Sequence, residues 1–249
     1  MQLTNKVALI TGGTRGIGAA TALLLAEHGA DVAIVGRQAD TEAQQIRDRI
    51  QGLGRKCLLL TADVGEPEAA RRCVRETAAQ LGAPTVLVHS AGGPVNGGFL
   101  DLTPERWQAA FDVHLHAIFH LCQEAIPHMR QRQEGAIVLL SSAAGLRGVH
   151  THTAYQVVKG ALPQFARALA REFAPDHIRV NCVAPGVVRT AFHAAMPPEA
   201  KKHNLENRIP LRGEGTAEQV AALILQLITN DYITGETVAI DGGLTMRIA

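Results

Sequence analysis

Three residues in the middle of the chain have side chains suited to acid–base chemistry. Ser142 precedes Tyr155, and Tyr155 and Lys159 are four residues apart on a predicted helix, a spacing that places two side chains on the same helix face. An unperturbed phenol has a pKa of about 10, so it needs a neighbouring positive charge to exchange protons near neutrality. Lys159 supplies such a charge, and the spacing therefore predicts a proton-exchanging pair.

A glycine-rich stretch near the start of the chain predicts a nucleotide site. The segment TGGTRGIG follows the first strand-like run, with Gly12, Gly16 and Gly18 opening a helix that runs to about His28. Glycine permits a tight turn and a close approach of the backbone to a pyrophosphate, and the helix N-terminus attracts the anion. Its position between a strand and a helix favours a dinucleotide site over a plain structural turn.

Two arginines near this loop indicate which dinucleotide is preferred. The second predicted strand ends in Gly36 and Arg37, where a site for NAD commonly offers an acidic side chain to the ribose. Arg37, together with Arg15 of the glycine loop, can instead pair with a 2′-phosphate through charge-assisted hydrogen bonds. We therefore expect NADP(H) to be preferred, with NAD(H) as the alternative cofactor.

Three histidines, His114, His116 and His120, lie in the apolar stretch FDVHLHAIFH. The i,i+4 spacing of His116 and His120 allows two imidazoles to face one metal ion, but the sequence places no third ligand beside them. We therefore expect both to lie on a helix surface, and we predict no metal site.

The elements that position these residues follow from a repeating pattern. Short apolar runs at 6–11, 31–36, 56–61, 85–89, 136–141, 178–183 and 237–241 alternate with segments of helical period. Nearly continuous apolar runs are typical of strands buried on both faces of a parallel sheet. The pattern predicts an α/β fold: one Rossmann-type, doubly wound domain over 1–249, with a seven-stranded parallel sheet and helices on both faces. Functional residues then follow the carboxyl ends of the strands, and the weakly periodic segment 187–215 is predicted to be a substrate lid.

Composition narrows the class of partner. The chain has 249 residues, a formal net charge of +1 and a hydrophobic share of 47%. This balance provides no large field of one sign, so we expect a small-molecule substrate and neither nucleic acid nor a membrane as partner. Four scattered cysteines without a C-x-x-C pair, and no signal peptide, predict a cytoplasmic protein with reduced thiols.

Taken together, the motifs resemble those of the short-chain dehydrogenase/reductase family from end to end. The resemblance rests on TGGTRGIG, Asp63 followed by Val64, SAG at 90–92, Ser142, Tyr155 with Lys159, NCVAPG at 181–186 and the closing ITGETVAIDGG. In this order and spacing the motifs are highly specific. The resemblance implies an NAD(P)-dependent oxidoreductase that transfers a hydride between nicotinamide and a carbonyl or secondary alcohol.

The same resemblance implies roles for individual residues. Ser142 binds the substrate oxygen, Tyr155 exchanges a proton with it, and Lys159 holds the nicotinamide ribose and lowers the Tyr155 pKa. The implied cofactor contacts are Gly12, Thr14, Arg15, Gly16, Ile17, Gly18, Arg37, Asp63, Val64, Ser90, Ala91, Gly92, Tyr155, Lys159, Pro185, Gly186, Val188 and Thr190. Family members are usually tetramers built through the helices that hold 107–131 and 154–173, so we expect a homotetramer.

Several positions depart from the family pattern. His89 and Ser90 replace two asparagines that commonly precede Ala-Gly, and Val157 and Val158 replace small residues. His114 stands where the family has the asparagine that completes its catalytic tetrad. In the family a main-chain carbonyl at this position contacts the relay water, so we expect His114 to keep the relay and the protein to keep its activity.

The substrate is less constrained than the reaction. His150, His152 and His193 lie in segments that border the substrate pocket in the family, and they favour a polar substrate such as a ketone, a sugar or polyol, or a keto acid. The alternative is a 3-oxoacyl-(acyl-carrier-protein) reductase, although Gln133 and Asp176 stand where such enzymes carry carrier-docking arginines. A cofactor-binding regulatory or scaffolding protein without turnover is the alternative from another class.

Overall fold

The predicted strands form one parallel sheet at the centre of the molecule. The computed structural model describes residues 1–193 and 196–246, except the side chain of His193. Over these residues the sheet has seven strands in the order β3-β2-β1-β4-β5-β6-β7. The strands are β1 (Val7–Thr11), β2 (Asp31–Gly36), β3 (Cys57–Thr61), β4 (Val86–His89), β5 (Gly135–Leu140), β6 (Ile178–Pro185) and β7 (Thr237–Ile240). The fold class predicted from the sequence is confirmed.

Helices cover both faces of the sheet. They are α1 (Gly16–Glu27), α2 (Thr41–Gly52), α3 (Pro67–Gln80), α4 (Pro104–Phe111), α5 (Ala117–Arg132), α6 (Ala143–Leu146), α7 (Thr153–Phe173), α8 (Pro198–His203) and α9 (Ala217–Thr229). Side chains alternate along β1, so that Leu9 packs with α3, α5 and α7 on one face, while Ala8 and Ile10 pack with α1 and α9 on the other. This alternation is the ordinary consequence of the two-residue repeat of a strand.

One irregular segment interrupts the helices beside the sheet. Between α4 and α5, Asp112–His116 forms a π-helix, in which the N–H of Ala117 donates to the carbonyl of Asp112. A π-helix holds more residues per turn than an α-helix, and such turns are frequent at functional sites. This turn carries His114 inward, where its side chain is buried.

The segment 187–215, which the sequence analysis left without elements, contains short helices. Ala191–His193 is a 3-10 helix, α8 follows, and Asn204–Arg208 forms a second π-helix. A parallel bridge between Val188 and Gly215 joins the two ends of the segment. Its role as a substrate lid remains a prediction.

Two other expectations bear on the class of protein. No helix in the described residues is both long and apolar enough to cross a bilayer. All four cysteines are free thiols, and three of them are buried.

Candidate active site

A cleft of about 1930 Å³ opens at the carboxyl ends of the strands. Because all the strands are parallel, the residues that follow β1, β2, β3, β4, β5 and β6 meet at this edge. Every predicted cofactor contact lines the cleft except Gly18. Gly18 is inside the first turn of α1, where a Cβ would lie 2.2 Å from the Gly12 carbonyl oxygen, so its role is close packing of the loop on the helix.

The glycine loop has the geometry that a pyrophosphate requires. Gly12 and Gly16 have φ values of +65° and +55°, a region that favours glycine. A Cβ on Gly12 would lie 2.8 Å from the Ala91 nitrogen, so a side chain cannot be accommodated between the two loops. The helix α1 begins without a side-chain cap from Arg15, which leaves its first-turn N–H groups available to an anion. These features fit a dinucleotide.

The two arginines near the loop have different surroundings. Arg15 forms ion pairs with Asp40 and, at 3.7 Å, with Glu42. Asp40 caps α2 by accepting from the Ala43 N–H, and this hydrogen bond together with Arg15 lowers the pKa of the Asp40 carboxyl. Arg37 is exposed and has no carboxylate partner among the described residues. Arg37 is therefore the cation that remains available to a 2′-phosphate.

The three acid–base residues converge on one wall of the cleft. Ser142 caps α6, accepting from the Ala144 N–H at 3.1 Å, and it also hydrogen-bonds Tyr155. Lys159 Nζ lies 5.7 Å from the centre of the Tyr155 ring and donates to the Leu140 carbonyl at 2.6 Å. This arrangement is the one that the spacing of Tyr155 and Lys159 predicts.

The electrostatics of the pair differ from the expectation. Burial raises the pKa of Tyr155, and the hydrogen bond from Ser142 offsets only part of that effect. Burial also lowers the pKa of Lys159 to about 8. The family resemblance implies that Lys159 lowers the Tyr155 pKa, but in this structure desolvation of the phenol is the larger effect. Tyr155 is consequently a protonated phenol at neutral pH, the form that can donate a proton.

His114 fills the space between the cleft and the sheet. Its Nε2 donates to the Gly93 carbonyl at 3.1 Å, and its ring meets the Tyr155 ring edge-on with centres 5.6 Å apart. A Cβ on Gly92, whose φ is +142°, would lie 2.1 Å from His114 Cε1. Burial, with Lys159 and His89 nearby, lowers the pKa of His114 to about 2, so the imidazole is neutral and its buried Nδ1 is an acceptor without a partner in the described residues.

His89 links the strands to the π-helix. Its Nδ1 accepts from the Thr11 hydroxyl at 2.9 Å, and its Nε2 donates to the Val113 carbonyl at 3.1 Å. Burial, with Lys159 nearby, lowers the pKa of His89 to about 3. The neutral side chain of His89 therefore connects Thr11 of β1 to Val113, the residue before His114. This role was not predicted from the sequence.

The other histidines separate into different environments. His152 lines the cleft, and its Nδ1 contacts the Val95 carbonyl at 3.1 Å. His150 is exposed and does not line the cleft, so its predicted contact with substrate is not supported by the structure. The side chain of His193 lies outside the described residues.

His116 and His120 are half-buried on the helical segment that begins at Asp112. His116 Nδ1 pairs with Asp112 at 2.9 Å. Burial lowers the pKa of His120, with Arg71 and His116 adding to the shift. Over residues 1–193 and 196–246, excepting the His193 side chain, no group of three or more potential metal ligands is found.

Two further arginines line the cleft, and neither was predicted from the sequence as a site residue. Arg147 follows α6, and Arg208 ends the second π-helix. Arg147 had a detectable signal, since it is a charged residue soon after β5, at the edge where functional residues collect. Arg208 had a weaker signal, because it lies in the segment 187–215 that was predicted to be a substrate lid, but only the fold shows that it reaches the cleft.

Comparison with known proteins identifies relatives over almost the whole chain. A family model described as enoyl-(acyl carrier protein) reductase matches residues 12–245. The 3-oxoacyl-(acyl-carrier-protein) reductase FabG of Chlamydia muridarum is 35% identical over 244 residues, which are 97% of this chain and 98% of the relative.

Solved structures agree with the sequence matches. A putative short-chain alcohol dehydrogenase from Sinorhizobium meliloti superposes with a TM-score of 0.93 at 33% identity, covering 98% of both chains. A short chain dehydrogenase from Burkholderia cenocepacia, solved in complex with NADP, gives a TM-score of 0.91 at 34% identity, covering 98% of this chain and 99% of the other.

Proposed function

The chain belongs to the short-chain dehydrogenase/reductase family, and we propose that it is an NADP(H)-dependent enzyme acting on the carbonyl or secondary alcohol of a small polar substrate. Membership makes it an NAD(P)-dependent oxidoreductase of CH–OH and C=O groups. The observation that carries the proposal is the convergence of Ser142, Tyr155 and Lys159 on the cleft that also holds the glycine loop.

The choice of NADP(H) rests on charge. Arg37 stands at the end of β2 with no carboxylate partner in the described residues, and Arg15 lines the same cleft although Asp40 offsets its charge. The glycine loop and the start of α1 would hold the pyrophosphate, while Lys159 would hold the nicotinamide ribose. The NADP found in the Burkholderia cenocepacia relative supports the same choice. When bound, the nicotinamide supplies or accepts the hydride.

The side chains of the cleft wall handle the oxygen and its proton. Ser142 and Tyr155 would hold the substrate oxygen with their hydroxyl groups, so that negative charge developing there meets preorganised donors. Because burial keeps Tyr155 protonated, the phenol can donate its proton to that oxygen. The positive form of Lys159 stabilises the phenolate that remains. A protonated phenol is the form of Tyr155 that carbonyl reduction requires.

Return of the proton to Tyr155 needs a route past His114. The imidazole is neutral, donates to Gly93 and keeps its Nδ1 as an acceptor, so it offers no acidic proton near neutral pH. The main-chain carbonyl of residue 114 is present whatever the side chain. We therefore assign the relay contact to this carbonyl and a filling role to the imidazole.

The decisive experiment follows NADPH absorbance with a panel of diketones, sugars, keto acids and oxoacyl thioesters. We expect oxidation of NADPH with at least one polar carbonyl compound, and we expect Tyr155→Phe to lower kcat by roughly 100- to 10,000-fold. Tyr232→Phe is the matched control, since Tyr232 is almost fully exposed and lies outside the cleft. Absence of turnover, with NADPH binding retained, would support the cofactor-binding protein without turnover instead.

A second candidate function is reduction of 3-oxoacyl groups on acyl carrier protein, which the similarity to the Chlamydia muridarum enzyme favours. Gln133 and Asp176 replace the expected docking arginines, and Asp176 pairs with Arg130 at 3.0 Å. Arg132 and Arg171 are exposed nearby and can substitute for them. The test compares an oxoacyl carrier protein with the free thioester, in wild type and in an Arg132→Glu, Arg171→Glu variant. Equal rates for both substrates and both proteins would exclude carrier docking.

The proposed assembly is a homotetramer. Phe119 on α5 and Val157 on α7 are exposed apolar side chains, with 44% and 43% of their surfaces accessible, on the two helices that the resemblance places in subunit interfaces. Light scattering at micromolar concentration is expected to give four times the chain mass. A monomer under these conditions would contradict the assembly.

A further inference from the structure

The charged side chains that line the cleft are unevenly balanced. Among the described residues that line the cleft, five side chains are cationic, and Asp63 carries the single carboxylate. The cationic residues are Arg15, Arg37, Arg147, Lys159 and Arg208. A cleft lined by charges of one sign attracts ligands of the other sign.

Three of these cations have functions in the proposed mechanism. Arg15 and Arg37 lie at the end of the cleft beside β2, and Lys159 adjoins Tyr155. Arg147 and Arg208 remain, and neither is among the predicted cofactor contacts. Arg147 follows the short helix that Ser142 caps, whereas Arg208 comes from the segment after β6.

Both arginines are held by neutral groups. Arg147 donates from Nε to the Thr245 carbonyl at 3.2 Å and from Nη1 to the Leu146 carbonyl at 3.0 Å. No carboxylate pairs with Arg147 in the ranges that the structure describes. Its charge is therefore not neutralised within the protein, while its position is constrained.

Arg208 is held by a side chain that is itself buried. Its Nη1 donates to Asn204 Oδ1 at 2.8 Å, and Asn204 is buried, with its Nδ2 directed to the sulfur of Met196 at 3.3 Å. Among the described side chains no carboxylate pairs with Arg208 either. An amide that is almost fully buried thus orients the guanidinium toward the cleft, and Arg208 Nη2 has no partner in the described residues.

We infer that Arg147 and Arg208 form a subsite for an anionic group of the substrate, a carboxylate or a phosphate ester carried by the same molecule as the reacting carbonyl. Guanidinium groups suit such oxygens because they offer paired N–H donors. This inference rests on the proposed function and narrows its substrate from polar compounds to acidic ones.

The test measures NADPH oxidation with matched pairs of compounds. Acetoacetate and levulinate are compared with their methyl esters, and dihydroxyacetone phosphate is compared with dihydroxyacetone, so the arms separate carboxylate from phosphate recognition. We expect KM for the preferred anionic compound to be roughly 10- to 100-fold below that of its neutral partner. Added salt is expected to raise the KM of the anionic compound alone.

Substitutions of the two arginines test whether they cause the difference in KM. Arg208→Gln and Arg147→Gln are each expected to raise the KM of the anionic compound roughly tenfold while leaving the neutral partner unchanged. Arg49→Gln is the matched control, since Arg49 is exposed on α2 and does not line the cleft. An equal rise for the neutral partner would indicate a structural role for the arginine and would overturn the subsite.

The outcomes separate this inference from the proposed function. Equal KM values for anionic and neutral partners would overturn the subsite and leave the oxidoreductase activity in place. No oxidation of NADPH by any compound would count against the proposed function. In that case calorimetric binding of levulinate and dihydroxyacetone phosphate to the NADPH-loaded protein still decides the subsite. Binding lost in Arg208→Gln but kept in Arg49→Gln supports it, whereas absence of binding overturns it.

Discussion

The two ends of the cleft are built on different principles. At the glycine loop the geometry depends on side chains that are missing, since Gly12 leaves the room that a Cβ would occupy against Ala91. Beside Tyr155 the geometry depends on side chains that fill space, since His114 packs against Gly92 and His89 bridges Thr11 to Val113. The glycine loop therefore tolerates no added side chain, whereas the wall beside Tyr155 depends on the shape and protonation of the side chains that fill it.

The two ends also use charge differently. Arg37 is exposed and acts as a full positive charge, whereas His89 and His114 are held neutral by burial and by the nearby Lys159. The exposed charge of Arg37 can select a ligand, whereas the two neutral histidines position the chain without adding to the electric field in the cleft.

A side chain at Gly12 should impair cofactor binding strongly. Gly12→Ala places a Cβ 2.8 Å from the Ala91 nitrogen at a φ of +65°. We expect NADPH binding, measured by fluorescence titration, to weaken on the order of 1000-fold, because backbone strain of about 1–3 kcal/mol and lost contacts to the pyrophosphate act together. Gly52→Ala in α2 is the control, since a Cβ there meets nothing within 4 Å. Equal binding by both variants would contradict the assignment of the loop.

The exposed charge of Arg37 should decide which cofactor binds. Arg37→Glu is expected to reduce the preference for NADPH over NADH roughly 100-fold, because a charge-assisted pair is replaced by repulsion of the 2′-phosphate. Dissociation constants for both cofactors provide the measurement, and Arg49→Glu on α2 is the control. If the ratio of the two constants stayed the same, Arg37 would not be the selecting residue.

Acid stability tests the neutral histidines. Their folded pKa values of about 3 for His89 and about 2 for His114 lie below the ordinary 6.5. The unfolded chain therefore takes up protons first as the pH falls below 6.5, and the stability that the neutral rings contribute is lost progressively toward pH 3. The loss amounts to about 2 kcal/mol for each ring at pH 5.

Urea unfolding at pH 7 and pH 5 checks this expectation. His114→Asn should lose about 2 kcal/mol less between the two pH values than the wild type does. His203→Asn is the control, because His203 is exposed. A wild-type loss no larger than that of His114→Asn would mean that the buried ring is not held neutral.

Replacement of His114 should change turnover only slightly. If the main-chain carbonyl of residue 114 carries the relay contact, kcat of His114→Asn should stay within about threefold of the wild type, with the same pH profile. Stopped-flow measurement with the best substrate of the panel is suitable. A wild-type protein without turnover beside an active His114→Asn variant would show that the histidine blocks the relay.

Much of the fold was predictable because buried parallel strands have a simple signature. The seven apolar runs mark the strands to within one or two residues. The π-helix at Asp112–His116 was not predictable, since an apolar stretch with inserted histidines has the same pattern in either type of helix. The short helices after β6 were missed because that segment has little hydrophobic periodicity.

The site divides in the same way. The glycine loop and the pair formed by Tyr155 and Lys159 depend on local spacing, and the structure places them as predicted. The raised pKa of Tyr155 depends on burial, and the presence of both Arg147 and Arg208 in the cleft depends on the path of distant segments. Neither the Tyr155 pKa nor the position of the two arginines can be predicted from the spacing of residues along the chain.

The contact between Gly92 and His114 restricts the order in which this chain can change. Alanine at position 92 has two costs, one from its φ of +142° and one from a Cβ 2.1 Å from His114 Cε1. The second cost disappears once the imidazole is gone, so the two positions are coupled and a survey of single substitutions would score Gly92 as intolerant. A lineage that carries this histidine can acquire a side chain at position 92 only after position 114 has changed.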